Sequence, residues 1–384
     1  MQPVKNLKNM KSFFSSLLFI SLLTFFSCQE NQKKATTSTE PSLSTMIGQM
    51  IMVGTRGMTI DEVSPVFQQQ IKEGKIGGIV LFDYDVVKKE FHRNIQSPTQ
   101  VKSLIDGLQQ LAPTPLFMAV DQEGGRVNRL KPKYGFPSSV SAQYLGDLDN
   151  VDSTKYYGHR TASLCQELGF NINFAPAVDV NVNPTSPAIG KIERSFSANP
   201  EMVIKHASIL IEEQHAKGIL STLKHFPGHG SAQVDSHYGV TDVTKYWQES
   251  ELIPFEKLGK LDKNVAIMTA HVANQNLDAD YPATLSKKII TGILREKLGF
   301  KGVIFSDDMQ MQAVNDHFGF ETLLEKSINA GVDVLVFGNN LKYDEEIPTK
   351  AIEIITRKVE SGAISKERIK QSYERVMDAK NKIQ

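Results

Sequence analysis

Eight short apolar runs recur along the chain: QMIMVGT (49–55), IGGIVLF (76–82), PLFMAVD (115–121), INFAPAVDV (172–180), GILSTLKHF (218–226), VAIMTAHV (265–272), GVIFSDD (302–308) and VDVLVFG (332–338). They are near-continuous rather than alternating, the pattern of strands covered on both faces of a parallel sheet. Between them the apolar period changes to that of a helix. Residues 97–112 carry apolar side chains at 101, 104, 105, 108 and 111, after a Ser97-Pro98 pair that suits a cap and a first turn. Segment 199–218 opens on Asn-Pro and closes on Gly218, 285–300 closes on Gly299, and 320–331 closes on Gly331. A last amphipathic, basic helix is predicted over 365–383. Strand and helix alternating eight times predicts an α/β fold, a (β/α)8 TIM barrel that forms a single domain over 44–384. An open doubly wound sheet is the alternative. It would carry a Gly-rich phosphate fingerprint after its first strand, and VGTRGMTIDE lacks that spacing.

The N-terminus follows a different pattern. Lys5, Lys8 and Lys11 precede a run from Phe13 to Phe26 that is apolar but for three serines and a threonine. A basic segment followed by such a run reads as a secretory signal, too short for a spanning helix. Ser27-Cys28 at its end resembles a bacterial lipoprotein signal, although Phe25 stands where a Leu is usual. Residues 1–28 are therefore expected to be a lipoprotein-type signal with Cys28 lipidated. A plain cleaved signal or an N-terminal anchor is the alternative. The expected location is outside the cytoplasm, lipid-anchored to the cell envelope in the periplasm or at the outer membrane. Residues 29–43 are polar and read as a flexible tether. The remaining cysteine, Cys165, sits at helical spacing among apolar residues and reads as a small buried hydrophobe. The 43 basic and 43 acidic side chains cancel, so composition suggests neither nucleic acid nor an anionic membrane surface as partner. Membrane attachment is expected through the lipid alone.

In a parallel barrel the chemistry gathers at the C-terminal ends of the strands. There the third run ends in Asp121-Gln122-Glu123-Gly124-Gly125-Arg126 and the fourth in Asp179. The fifth ends in Lys224-His225, the sixth in His271, and the seventh in Ser306-Asp307-Asp308. After the fifth comes KHFPGHGSAQVDSHYG (224–239), with His225, His229 and His237, Asp235 and three glycines. Three chemistries compete for that stretch. A metal would use the three histidines and Asp235, but Pro227 and the glycines oppose the helix that sets such ligands on one face. A phosphate cradle would need Gly-x-x-x-x-Gly-Lys-Ser/Thr, which is absent. An Asp235–His237 acid/base pair needs only a mobile loop. No metal and no cofactor is expected.

The motifs KHFPGHGSAQVDSH, FSDDMQM and AVDQEGGRVNRL, with MTAHV, INFAPAVDV and ERSFSANP, resemble glycoside hydrolase family 3 in its β-N-acetylhexosaminidase branch. The resemblance runs from about residue 45 to 380. It implies a barrel, in agreement with the strand count, and a retaining exo-β-N-acetylhexosaminidase. The implied substrate is terminal β-linked N-acetylglucosamine on peptidoglycan fragments (muropeptides) or chitooligosaccharides. It assigns Asp307 as nucleophile, His237 as acid/base and Asp235 as the partner of His237. It assigns Asp121, Arg126, Arg194, Lys224 and His225 to the sugar. A carboxylate suits attack on an anomeric carbon. A histidine titrates near working pH and adds no second negative charge beside the nucleophile. One departure is Lys-Ile-Glu between Gly190 and Arg194, where the family has a single residue. Glu123 and Asp179 stay open between structural and site roles, and His229 and His271 are expected to shape the pocket. A β-glucosidase or a glycoside phosphorylase of the same family is the nearest alternative. A non-catalytic sugar-binding lipoprotein is the rival from another class, but it would be expected to have lost Asp307 or the pair.

Overall fold

The computed structural model describes residues 41–234, 241–261, 264–311 and 318–383. All eight apolar runs contain a strand: β1 (Ile51–Gly54), β2 (Gly78–Leu81), β3 (Phe117–Val120), β4 (Ile172–Asn173), β5 (Leu220–Phe226), β6 (Val265–Thr269), β7 (Ile304–Asp308) and β8 (Val334–Phe337). They close into one parallel barrel in chain order, with β1 paired to both β2 and β8. Val53 faces Ile79 on one side and Phe337 on the other.

Because side chains alternate along a strand, each run feeds two cores. Met52, Val80, Phe117, Ala119, Ile172, Leu220, Ala266, Phe305 and Val334 point inward and fill the lumen. Their neighbours, such as Ile51, Val53, Ile79, Leu81 and Ile267, point outward to the helices. This is why the runs lack polar alternation. In the lumen, the Phe305 ring lies 6.0 Å from Phe117 and 5.6 Å from Phe174. The outer ring includes helices Pro98–Leu111, Val151–Leu168, Pro200–His215, Phe320–Ala330 and Ile347–Glu360. Ser97 and Asn199 cap two of them, accepting the N–H groups of Gln100 at 3.3 Å and Glu201 at 3.0 Å. The predicted helix over 285–300 is present as a π-helix, Lys288–Lys297.

Two strand ends differ from the reading of the sequence. β4 stops at Asn173, not at Asp179, because Pro176 has no N–H to offer the ladder. The chain still tracks β5, through Thr222 N–H to Ala175 O at 3.0 Å and Val178 N–H to Lys224 O at 2.8 Å. β6 ends at Thr269, two residues before His271.

The floor of the barrel is closed by helix Lys366–Asn381. Val376 and Ala379 join the lumen cluster. Lys380 reaches beneath Phe117, 4.9 Å from its ring centroid, and donates to Gln49 Oε1 and Gly77 O, both at 2.7 Å. Burial pushes its pKa down to about 7. Nearby, the buried Asp333 carboxylate accepts from Arg295, Arg368, Arg375, Ser372 and the Ile304 N–H.

Candidate active site

A cavity of about 230 Å³ opens at the C-terminal ends of the strands, lined by Asp121, Arg129, Arg194, Lys224, His225, His229, Asp307 and Asp308, with Phe82, Phe174 and Met268 among its apolar walls. Four strands and the loops after them supply these charges. Asp121 and Glu123 lie two positions apart after β3, so both face one way. Lys224 stands between them, 2.9 Å from Asp121 and 2.6 Å from Glu123. Glu123 in turn grips the Arg194 guanidinium with both oxygens, at 2.9 and 2.7 Å. A fork of this kind is among the stronger charge-assisted contacts.

The chain of charges continues to His225. Arg194 Nη2 lies 3.0 Å from His225 Nε2. A guanidinium can only donate, so Nε2 accepts and the ring proton sits on Nδ1. Nδ1 meets Asp179 Oδ2 at 2.7 Å. Asp179 is fully buried and also takes the backbone N–H groups of His225 at 3.1 Å and His229 at 2.8 Å. It therefore fixes the start of the KHFPGHG turn from below. Both ring nitrogens of His225 are thus engaged by protein groups. Among the described residues, no three His, Cys, Asp or Glu side chains stand together as a metal-ligand group.

Electrostatics follow from this packing. Burial opposes charge on Asp121, yet Lys224 and then Arg129 hold its carboxyl well below the usual range. Burial likewise opposes charge on Glu123, while Arg194 and Lys224 bring it down to about 2. Asp179 is lowered chiefly by His225, against its burial. Arg194 is raised against its burial, by Glu123 first. His229 is driven down to about 4 by burial and then by its neighbour His225, so near neutrality it is uncharged. The polar wall is thus a fixed array of ionised groups around a neutral His229.

Opposite it, β7 ends in Asp307 and Asp308. Asp308 is committed to the scaffold: its Oδ1 accepts from Gln310 N–H and Gly338 N–H, both at 3.0 Å, tying β7 to β8. Asp307 Oδ1 accepts the Asp308 N–H at 2.8 Å, and Asp307 lines the cavity. His271 Nε2 contacts the Asp308 carbonyl at 3.0 Å, and its Nδ1 meets Thr284 Oγ1 at 2.9 Å. His271 thus supports the strand end that presents Asp307.

Of the residues expected to hold substrate, Asp121, Arg194, Lys224 and His225 all line the cavity. Arg194 does so despite the longer Gly190–Ile192 turn before it. Arg126 does not. Gln122–Gly124 and Val127–Asn128 form a tight antiparallel hairpin, with Gly124 at φ 100° and Gly125 at φ 56°. Arg126 sits at its tip, exposed to solvent. Three positions later the returning strand delivers Arg129 to the cavity, 3.3 Å from Asp121. A two-residue hairpin turn implied by Gly124-Gly125 was the signal available in the sequence. Asp235 and His237 lie outside the described residues, as does Cys28.

The chain was compared with known proteins. A family model described as the glycosyl hydrolase family 3 N-terminal domain matches residues 42–379. Beta-hexosaminidase A of Pseudoalteromonas piscicida is 33% identical over 346 residues, which are 83% of this chain and 55% of that protein. The chain therefore spans about half the length of that relative. A beta-hexosaminidase of Tolumonas auensis is 34% identical over 296 residues, 76% of this chain and 83% of the relative. Among solved structures, a glycoside hydrolase family 3 β-N-acetylglucosaminidase from Paenibacillus sp. superposes with a TM-score of 0.80 at 31% identity, over 90% of this chain and 63% of that one. With the barrel, the placement of Asp307 and a match across almost all the described residues, the chain belongs to glycosyl hydrolase family 3.

Proposed function

We propose that the protein is a retaining exo-β-N-acetylhexosaminidase that releases terminal β-linked N-acetylglucosamine. The observation that carries this reading is Asp307 facing Lys224, His225, Arg129 and Asp121 across one small cavity. At about 230 Å³ the cavity is below the ~300–1,000 Å³ of sites for drug-sized ligands, which suits one sugar ring removed from a chain end. Asp121, Lys224, Arg129 and Arg194 are charged donors and acceptors held by one another, able to meet sugar hydroxyls without rearranging.

Asp307 attacks the anomeric carbon and the glycosidic bond breaks. The leaving oxygen takes its proton from His237, which Asp235 orients. Water then attacks the glycosyl-enzyme, His237 removes its proton, and Asp307 is released. Peptidoglycan fragments are the substrate in this reading, with chitooligosaccharides as the alternative, and Cys28 carries a lipid that tethers the enzyme to the envelope. Turnover of an aryl β-N-acetylglucosaminide by the native chain and Asp307→Ala tests the assignment. Unchanged hydrolysis by the variant overturns it, and sugar 1-phosphate formed in added phosphate marks a phosphorylase instead. A panel of muropeptides and chitooligosaccharides decides the substrate, and labelling with radioactive fatty acid in native protein and Cys28→Ala decides the lipid.

A further inference from the structure

Glu251 has no part in the site described above, yet it is a carboxyl group with no exposed surface. It lies in the short 3-10 turn Glu249–Leu252, where its Oε1 accepts the Gln248 N–H at 3.3 Å. That local job does not require burial, and burying a carboxyl is costly. Its other oxygen shows what burial achieves. Oε2 accepts the N–H of Gly230, 21 positions away, at 3.1 Å.

Gly230 belongs to the turn that joins two jobs in this enzyme. Before it stand Lys224 and His225, on the sugar side. After it comes the segment with Asp235 and His237. The turn is held between two buried carboxyl groups: Asp179 takes the N–H groups of His225 and His229, and Glu251 takes that of Gly230. It has no slack. A Cβ on Gly230 would meet Val180 O at 1.7 Å, and one on Gly228 would meet Glu251 Cβ at 2.7 Å. Trp247, four residues before Glu251, donates to Pro227 O at 3.1 Å from the same side. A displacement of Glu251 therefore passes into the turn.

We infer that Glu251 is a positioning residue for proton transfer: it anchors the Gly228–Ser231 turn and so sets where the acid/base segment begins. The inference rests on the assignment of His237 as acid/base. Burial raises the Glu251 pKa to about 7, with the Asp179 charge adding to the rise and bonds from Ser231 and the Gln248 N–H opposing it. The ionisable groups around the turn, among the described residues, include Asp179, Lys224, His225 and His229, with Arg194 against His225 and Glu249 on the turn of Glu251 itself. The carboxylate form, able to accept from both backbone donors, is thus the anchoring form, and it dominates only above neutrality.

The test uses leaving groups. Acid assistance matters for a poor leaving group and little for a good one. Full-length Glu251→Gln and Glu251→Ala are assayed on chitobiose and on the 2,4-dinitrophenyl β-N-acetylglucosaminide, with His237→Ala in parallel. The expected result is a loss in kcat/KM of about tenfold or more on chitobiose and less than about twofold on the dinitrophenyl substrate, a part of the 10²–10⁴ available to acid/base catalysis. For Glu251→Gln the chitobiose deficit should widen as pH rises through 7. Equal losses on both substrates, or no loss on either, overturn the inference. Should Glu251→Ala fail to fold by circular dichroism, Glu251→Gln decides alone. If His237→Ala shows the split and the Glu251 variants do not, only the Glu251 role falls. If His237→Ala shows no split, the acid/base assignment and the Glu251 role fall together.

Discussion

Both ends of this barrel hold buried carboxylates ringed by cations, and among the described residues the two sets are built differently. At the floor, Asp333 receives five donors, among them three arginines. Those arginines spend further donors on the carbonyls of Phe300, Gly302, Ile328 and Val332. Every one of these bonds ends on protein, and together they fasten helix Lys366–Asn381 to β7 and β8. At the mouth, Asp121, Glu123, Lys224, Arg194 and His225 form a chain rather than a closed ring, and one side of it lines a cavity. Hollow volume points the wrong way: the floor has depressions of about 680 and 520 Å³, against about 230 Å³ at the mouth. Charge that converges on open space, opposite the Asp307 carboxylate, distinguishes the mouth from a fastening; size does not.

Separating the two ends by mutation should give opposite signatures. Asp307→Ala is expected to lower kcat by at least ~10³-fold while leaving the melting temperature unchanged, measured on an aryl glycoside and by calorimetry. Asp333→Ala strands three guanidinium groups and should cost about 3–5 kcal/mol of stability in urea, with kcat per folded molecule intact. An activity loss without a stability loss in that variant would break the distinction.

A third prediction concerns pH. A carboxyl whose folded pKa is raised binds its proton more tightly in the native state, so its contribution to stability is fully present below the unfolded value and declines as pH rises. For Glu251 the window runs from the ordinary glutamate value of 4.5 to about 7. Denaturant titrations of the native chain and Glu251→Gln should diverge there, with the native chain losing up to ~1.4 kcal/mol per pH unit relative to the variant. Parallel curves would mean that Glu251 does not titrate in this range. The smallest effect sharpens the mouth itself. Arg129→Ala should raise KM about tenfold, since Arg129 lines the cavity, while Arg126→Ala at the exposed hairpin tip should change it less than about twofold, as a surface substitution does.

The barrel was legible because burial on both strand faces leaves a plain trace in sequence. Its details were less so. Pro176 ended β4 early, although proline within a run is a known warning. Asp121, Lys224, His225 and Asp307 could be placed because they end strands. Arg126 is what the resemblance implies and Arg129 was not singled out, because spacing along the chain does not tell which side of a hairpin returns to the cavity. Asp179 and Glu123 could not be resolved between roles, and the structure explains why: each touches both the scaffold and the site. Glu251, in the segment WQESEL, reads as an ordinary acidic turn, since its partner Gly230 is distant in sequence and offers only a backbone N–H.

The closure of the floor has a consequence for synthesis. Val376, Ala379 and Lys380 complete the lumen beneath Phe117. A ribosome-bound chain whose residues 366–381 are still in the exit tunnel has β1 through β8 available but an unsealed barrel, with Gln49 Oε1 and the Gly77 carbonyl lacking their ammonium donor. The native barrel is therefore sealed only once residues 366–381 have emerged, however early β1 through β8 are made.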